Sequence, residues 1–267
     1  VKGVFHALGA FQHMMKGPYD DKTAFSHSPD QDMIFQPRRK VICFEPVPLD
    51  FVKAMKTAAN VSLNDVVYTC ISQALHDYLM EQDDPALKEK GTDLLCRTLM
   101  ALAFPPNAEA DKATSLRNQW CFVSADFSIG STDNVLDRLH HVHESLGQLK
   151  TSLVPLLVMT SQNYICPILP LSFNRKEVYG LFTRHSTVFS NVPGPPVPVQ
   201  FAGHEVHGVQ MVFPNLVPQV GLISYRGQIF GNFCLDPVAI PNAHRIPILL
   251  TQAYIDLATK LNVPVPK

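Results

Sequence analysis

The run His140-His141-Val142-His143-Glu144 is the densest group of chemistry-capable side chains in this 267-residue sequence. On a helix, His140 stands at i+3 to His143 and i+4 to Glu144, a spacing that lets two side chains grip one metal ion from a single face. The apolar stripe of the same segment runs through Leu139, Val142 and Leu146 and turns the histidines to the flanks and to water. No second His/Cys cluster offers the remaining ligands, so the run reads as a solvated helix face and no metal is expected. There is no GxSxG to mark a serine nucleophile, and the 13 glycines form no phosphate-cradling loop. Arg38-Arg39-Lys40 is a short basic run, read as solvated. Two polar clusters remain: Ser62-Leu63-Asn64-Asp65-Val66-Val67 and, more than a hundred residues later, Ser190-Asn191-Val192-Pro193-Gly194-Pro195. An Asn side chain both donates and accepts. Asn64, in the first turn of a helix beside free backbone N–H groups, can therefore meet a polar or charged centre.

Each cluster also has a plain structural reading. Ser62 is a natural N-cap and Asp65, three residues on, can complete a capping box; for Asp65 this is the favoured role. Ser190 to Pro195 reads as a strand ending in a rigid turn, with proline fixing φ and Gly194 admitting an unusual one.

The elements that must position these clusters can be read from periodicity. Val4 to Met15 predicts a short helix stopped at Gly17-Pro18, and residues 19–33 are polar and turn-rich like a linker. Lys40 to Glu45 reads as a strand between Pro37 and Pro46, followed by a helix from Pro48 to Ala59. The clearest helix spans 63–81, with Leu63, Val66, Val67, Cys70, Ile71, Ala74, Leu75, Tyr78 and Leu79 on one stripe. Residues 82–93 read as a charged surface loop. Leu94 to Phe104 and Asn118 to Asp126 read as strands, the first buried on both faces. Asp133 is expected to cap a helix from Asn134 to about Lys150. Strands follow near 185–191, 205–213, 217–226 and 229–235, the last two joined at Tyr225-Arg226-Gly227-Gln228. A final helix runs from about Ala243 to Leu261, with Pro247 in its first turn or kinking it. Strands and helices in this order argue for a layered α/β or α+β domain on a mixed sheet.

Composition bounds the function. Charged residues make up 17%, against about 25% in typical soluble domains, which points to a large apolar interior, an apolar cavity or a lipid-facing surface. A net charge of -1 gives no field favouring nucleic acid. The six cysteines are far apart and mostly within apolar runs, as expected of buried free thiols in a reducing compartment. No charged residue occurs between Lys150 and Arg175. That stretch is long enough to span a bilayer, but Pro155, Pro167, Pro170 and the polar Thr160-Ser161-Gln162-Asn163 interrupt it. A buried helix-and-turn pair is the favoured reading, with a lipid-facing surface element as the alternative. The start at Val1, without Met or signal peptide, is read as that of a processed or excised segment.

Taken together, Asn64-Asp65-Val66-Val67 and Ser190-Asn191-Val192-Pro193-Gly194-Pro195 resemble the signatures of the bifunctional wax ester synthase/diacylglycerol acyltransferase family, and more narrowly its C-terminal domain. The resemblance covers about residues 36 to 262. Leu116-Arg117-Asn118 falls where the family has Gly-Asn, with Arg117 in place of the glycine. Asp137-Arg138-Leu139 and Lys150 fall on the helix the family marks with Arg-Leu and a later Lys. Phe201-Ala202-Gly203, Ser224-Tyr225-Arg226-Gly227 and Leu235-Asp236 match its closing turns and Asp. Phe104-Pro105-Pro106-Asn107 lacks an Arg expected near there. The family's HHxxxDG motif is absent, and the 140–144 run is not that motif because Ser145 and Leu146 stand where Asp and Gly would be.

The resemblance implies a CoA-dependent, chloramphenicol acetyltransferase-like α/β lobe, with a mixed sheet and packed helices. Two such lobes would face each other across a tunnel, residues 1–35 forming the connector and 36–267 the C-terminal domain. A His from the N-terminal lobe would act as general base on an alcohol hydroxyl, and the alkoxide would attack the acyl-CoA thioester. It implies Asn64 as a catalytic residue and Asp65, Asn118, Ser190, Asn191 and Gly194 as substrate-binding residues. Acyl-CoA is a substrate and no further cofactor is implied. The partners would be acyl-CoA, a fatty alcohol or diacylglycerol, the HHxxxDG-bearing lobe and a membrane surface, with no nucleic acid. The location would be the cytoplasmic side, peripheral to a membrane or a lipid droplet. The alternative is a non-catalytic lipid-binding or scaffolding module of the same fold.

Overall fold

The strongest helical periodicity becomes the helix around which the domain is built. In this computed structural model, which describes residues 2–26, 39–103, 120–132, 134–195 and 197–266, helix α3 spans Leu63–Glu81 and is buried almost throughout from Asp65 to Leu79. Its start is the capping box expected from the sequence. The Ser62 hydroxyl accepts from the Asp65 N–H, and the Asp65 carboxylate accepts from the Ser62 N–H. The other helices are α1 (Lys2–Lys16), α2 (Leu49–Ala59), α4 (Pro85–Lys90), α5 (Val135–Thr151), α6 (Val154–Thr160), α7 (Leu171–Thr183) and α8 (Arg245–Lys260). Pro247 lies in the first turn of α8, where its missing N–H costs nothing.

The main sheet has six strands: β1 (Lys40–Pro48), β2 (Arg97–Ala103), β3 (Trp120–Asp126), β4 (Thr187–Pro193), β7 (Gln219–Tyr225) and β8 (Gln228–Leu235), in the order β1-β8-β7-β4-β2-β3. β4 runs parallel to β2 and β7, and the other pairs are antiparallel. The mixed α/β architecture is therefore as expected. β7 and β8 meet in a two-residue turn whose Arg226 and Gly227 both have positive φ (49° and 73°), the conformation that follows the twist of the flanking strands. β1 runs past its expected end. Its pairing with β8 shifts between Phe44 and Val47, and this bulge accommodates Pro46 on an edge strand. A separate hairpin pairs β5 (Gln200–Phe201) with β6 (His204–Glu205).

Each face of the sheet buries its own set of side chains, as strand alternation requires. Met100, Cys121, Val123, Phe189, Val220, Leu222 and Phe233 join the large core beneath α2, α3, α5 and α8. Leu99, Val188 and Phe122 point the other way and pack with Met14 of α1 and Leu181 and Phe182 of α7. Helix α6 borders the β3 edge and ties the layers together: Val154 belongs to the large core, and Val158 touches both clusters.

Several local expectations are corrected. Residues 20–26 are fixed into the domain rather than linking to it: Asp20 pairs with Arg97, and Phe25 is buried edge-on against Phe233. Residues 27–38 lie outside the described residues. The 82–93 loop contains α4, capped by the Asp84 side chain, and a 3-10 turn at Gly91–Asp93. Asn134, not Asp133, caps α5; Asp133 lies outside the described residues. Beyond β6, the segment 206–213 forms no strand. Side chains anchor it across β7 and β8 instead, the Tyr225 hydroxyl donating to Val206 O and Asn232 Nδ2 to Met211 O. The uncharged stretch 151–174 is not a buried pair. It continues from α6 through a π-helical turn (Ser161–Ile165) and a 3-10 turn (Cys166–Ile168) into α7, with Tyr164 73% and Ile168 80% exposed. Among the described residues no helix is long and apolar enough to cross a membrane.

Candidate active site

The two polar clusters meet. Nδ2 of Asn191, near the end of β4, donates to Oδ1 of Asn64 at 2.7 Å. Asn64 occupies the second position of α3 and is half-buried. With its carbonyl engaged, its own amide N–H₂ remains available as a donor, beside the positive end of a 19-residue helix.

Asp65 is committed elsewhere. Its side chain is 1% exposed, caps α3, and lies 2.8 Å from His143 Nδ1 and 3.4 Å from Lys150 Nζ, both on α5. Burial acts to raise its carboxyl pKa, but hydrogen bonds from His143 and Ser62 and the Lys150 charge override that and hold it below the usual value. The arrangement pins the start of α3 to α5, so Asp65 positions its neighbour Asn64. His143, met first as a member of a histidine run, is thereby accounted for. His140 and Glu144 line a shallow surface hollow on α5. Among the described residues no group of three or more His, Cys, Asp or Glu is placed to hold a metal.

Ser190 and Asn191 line an apolar cleft of about 470 Å³ on the sheet face opposite α3, a size suited to a small-molecule or chain-like ligand. Ala101, Phe122, Met211, Val212 and Phe213 also line it. The Ser190 hydroxyl has no hydrogen-bond partner among the described residues. Among the described residues, none of the side chains lining the cleft is titratable. It can hold an alkyl chain and orient a hydroxyl or carbonyl, and the described residues lining it include no proton-abstracting group. Asn118 lies outside the described residues. Trp120, Phe122 and Met211 to Phe213 were not anticipated as site residues. The isolated Trp120 and the apolar triplet 211–213 were their sequence signals, read only as strand.

Gly194 closes β4 at the cleft rim. Its φ is not in the left-handed region, so the unusual backbone expected there is not what it supplies. Its N–H donates to Ser224 O at 3.0 Å, and a Cβ at this position would run into that same carbonyl oxygen. Gly194→Ala should therefore force β4 away from β7 and cost about 1–3 kcal/mol in urea denaturation; a change under about 0.5 kcal/mol would show that the turn has room.

The chain matches known proteins in sequence and in fold. The family model for the WS/DGAT C-terminal domain matches residues 116–257, more than half of the chain. The chain belongs to the WS/DGAT C-terminal domain family. Wax ester synthase/diacylglycerol acyltransferase 11 of Arabidopsis thaliana is 24% identical over 243 residues, covering 85% of this chain and 49% of that protein. The chain thus spans about half the length of the curated WS/DGAT relatives it matches. The solved wax ester synthase/diacylglycerol acyltransferase from Marinobacter aquaeolei VT8 superposes with a TM-score of 0.60 at 17% identity, over 98% of this chain and 57% of that one. The trichothecene 15-O-acetyltransferase TRI3 from Fusarium sporotrichioides superposes with a TM-score of 0.57 at 12% identity, over 97% and 52%. These likenesses establish the acyltransferase-type fold for this WS/DGAT domain.

Proposed function

We propose that this chain is the C-terminal lobe of a CoA-dependent O-acyltransferase that moves a long-chain acyl group from acyl-CoA to a fatty alcohol or diacylglycerol. The observation that carries the reading is the Asn64–Asn191 hydrogen bond, which joins the two family motifs at β4, the strand whose other face lines an apolar cleft. In this reading an imidazole of the HHxxxDG lobe removes the acceptor's hydroxyl proton. The alkoxide attacks the thioester carbon, and the tetrahedral intermediate collapses with loss of CoA as thiolate. The free amide of Asn64 donates to the oxyanion, which strengthens as charge develops there. The cleft holds apolar chain and keeps water from the thioester. A non-catalytic lipid-binding module is the second reading, favoured by the absence of titratable groups among the described residues that line the cleft.

Reconstitution separates the two. Assembled with an HHxxxDG-bearing lobe, the protein should release CoA thiol from a long-chain acyl-CoA only when fatty alcohol or diacylglycerol is present, while the chain alone should show about 10²–10⁴-fold less turnover, the usual contribution of a general base. Acyl-chain binding without turnover in the assembled protein would leave the lipid-binding module.

A further inference from the structure

The apolar cleft grades from closed to open along the strands that line it. Alternation puts Leu99, Ala101 and Ala103 of β2 on one face, and Val188, Ser190 and Val192 of β4 lie beside them on the same face, with Leu99 next to Val188 in the parallel register. At one end Leu99 and Val188 are buried with Leu181 and Phe182 of α7, Val188 being 2% exposed. Gln219, the partner of Val188 on β7, is buried too. At the other end Ala103 is exposed and Val192 is 39% exposed. Ala101, Ala103, Val188, Ser190 and Val192 all line the cleft. It is therefore a trough with a blind end at Val188 and a mouth at Val192, one residue past the Asn191 that holds Asn64.

Between the two ends stands a methyl group. Ala101 pairs with Phe122 of β3 on one side and, as the register runs on from Met100 and Phe189, neighbours Ser190 of β4 on the other. Among the described residues no charged side chain lines the trough, so its contents are chosen by shape and apolar contact. We infer that Ala101 sets the length of the straight alkyl chain that the cleft accepts. The chain enters past Val192 with its polar end toward Asn64 and its tail toward Val188, and a larger side chain at residue 101 occupies the place of the tail. This role rests on the cleft holding an alkyl chain, as in both readings above. Acyl and alcohol chains share that chemistry, and kinetics separates them.

Trp120 is the one tryptophan of the 267-residue sequence; it lines the cleft and pairs with Ala103, so its fluorescence reports occupancy. Titrated with straight-chain 1-alkanols of increasing length, the full chain should bind about fourfold more tightly per added methylene, up to a break where the trough is full. In Ala101→Val and Ala101→Leu the break should move to chains shorter by about two and about three carbons, the atoms each variant adds. Valine is well suited to a strand, so the graded pair stays informative if the larger variant folds poorly by circular dichroism. In the protein assembled with an HHxxxDG-bearing lobe, acyl-CoA length is varied against one alcohol and alcohol length against one acyl-CoA; the substrate whose length preference shifts in the variants is the one whose chain fills the trough. Trp120 emission indifferent to every alkanol, or an unmoved break in folded variants, would overturn the role of Ala101. Turnover with the parental length preference for both substrates would overturn it too while leaving acyl transfer standing. A shifted break without turnover would uphold it and favour the lipid-binding module.

Discussion

Under the proposed acyl-transfer reading, Asn64→Ala is expected to lower kcat about 10²–10³-fold in the protein assembled with an HHxxxDG-bearing lobe, the loss seen when one oxyanion donor is removed. The argument starts from hydrogen-bond capacity. Asn191 occupies the Asn64 carbonyl at 2.7 Å, which fixes the rotamer and leaves the Asn64 N–H₂ as an available donor. Alanine deletes that donor while keeping good helix propensity and both halves of the capping box, since Ser62 and Asp65 are untouched. Stability should therefore change little, and KM should stay close to that of the parent if the donor acts only on the transition state. Asn191→Ala should cost less, about tenfold, because it frees Asn64 to rotate without removing it. In the double variant the two losses should not add, as for residues in one hydrogen-bonded unit. Steady-state kinetics with a long-chain acyl-CoA read all three, and full turnover in Asn64→Ala would remove the residue from the site.

Arg97→Met should destabilise the domain by about 3–5 kcal/mol, the usual consequence of leaving a buried charge without its partner. Arg97 and Asp20 are both buried, with Nε and Oδ1 at 2.7 Å. The same guanidinium donates through Nη2 to the carbonyls of Pro18 and Arg184, so one side chain holds the end of α1, the start of β2 and the end of α7. Burial raises the Asp20 carboxyl pKa even though the Arg97 charge and hydrogen bonds pull it down. Without the guanidinium only the hydrogen bonds from Ser186 and the residue-97 backbone oppose the desolvation, and the pKa climbs further. A carboxyl with a raised native pKa is tolerated at low pH, where it is neutral in both states, and costs stability as pH rises through its unfolded value. The deficit of Arg97→Met should therefore be largest near about pH 7 and shrink toward about pH 4. Urea titrations at the two pH values measure it. Adding Asp20→Asn should recover part of the loss; equal deficits at both pH values would place the cost in packing instead.

Local patterns were legible where the chain decides its own conformation. Helix α3 declared itself by an unbroken stripe and a Ser62-to-Asp65 cap. The β7–β8 turn followed from Arg226-Gly227, and the motif residues of the C-terminal domain were visible as residue types. What was hidden depends on partners far away in the chain. Residues 19–26 look like a linker because they are polar, yet Asp20 is polar in order to meet a residue 77 positions later. Residues 206–213 alternate like a strand, but side chains of Tyr225 and Asn232 hold them off the ladder. The stretch 151–174 is apolar enough for a core, and composition alone does not distinguish a face turned inward from one turned outward. The Asn64–Asn191 contact spans 127 residues; each motif could be seen, but their meeting could not.

The pairing of β1 with β8 has a consequence for biosynthesis. Lys40 lies opposite Leu235, so the first strand of the sheet leaves the ribosome with no partner and waits for the last. At about 5–20 residues per second that interval is about 10–40 s. Over that time the unmatched edge of β1, and the Phe44 ring destined for Phe233, stay open to holdase chaperones or to a neighbouring nascent chain. The yield of correctly finished protein in a cell should then depend on translation speed between codons 48 and 228 more than on the strength of any single contact in the finished fold.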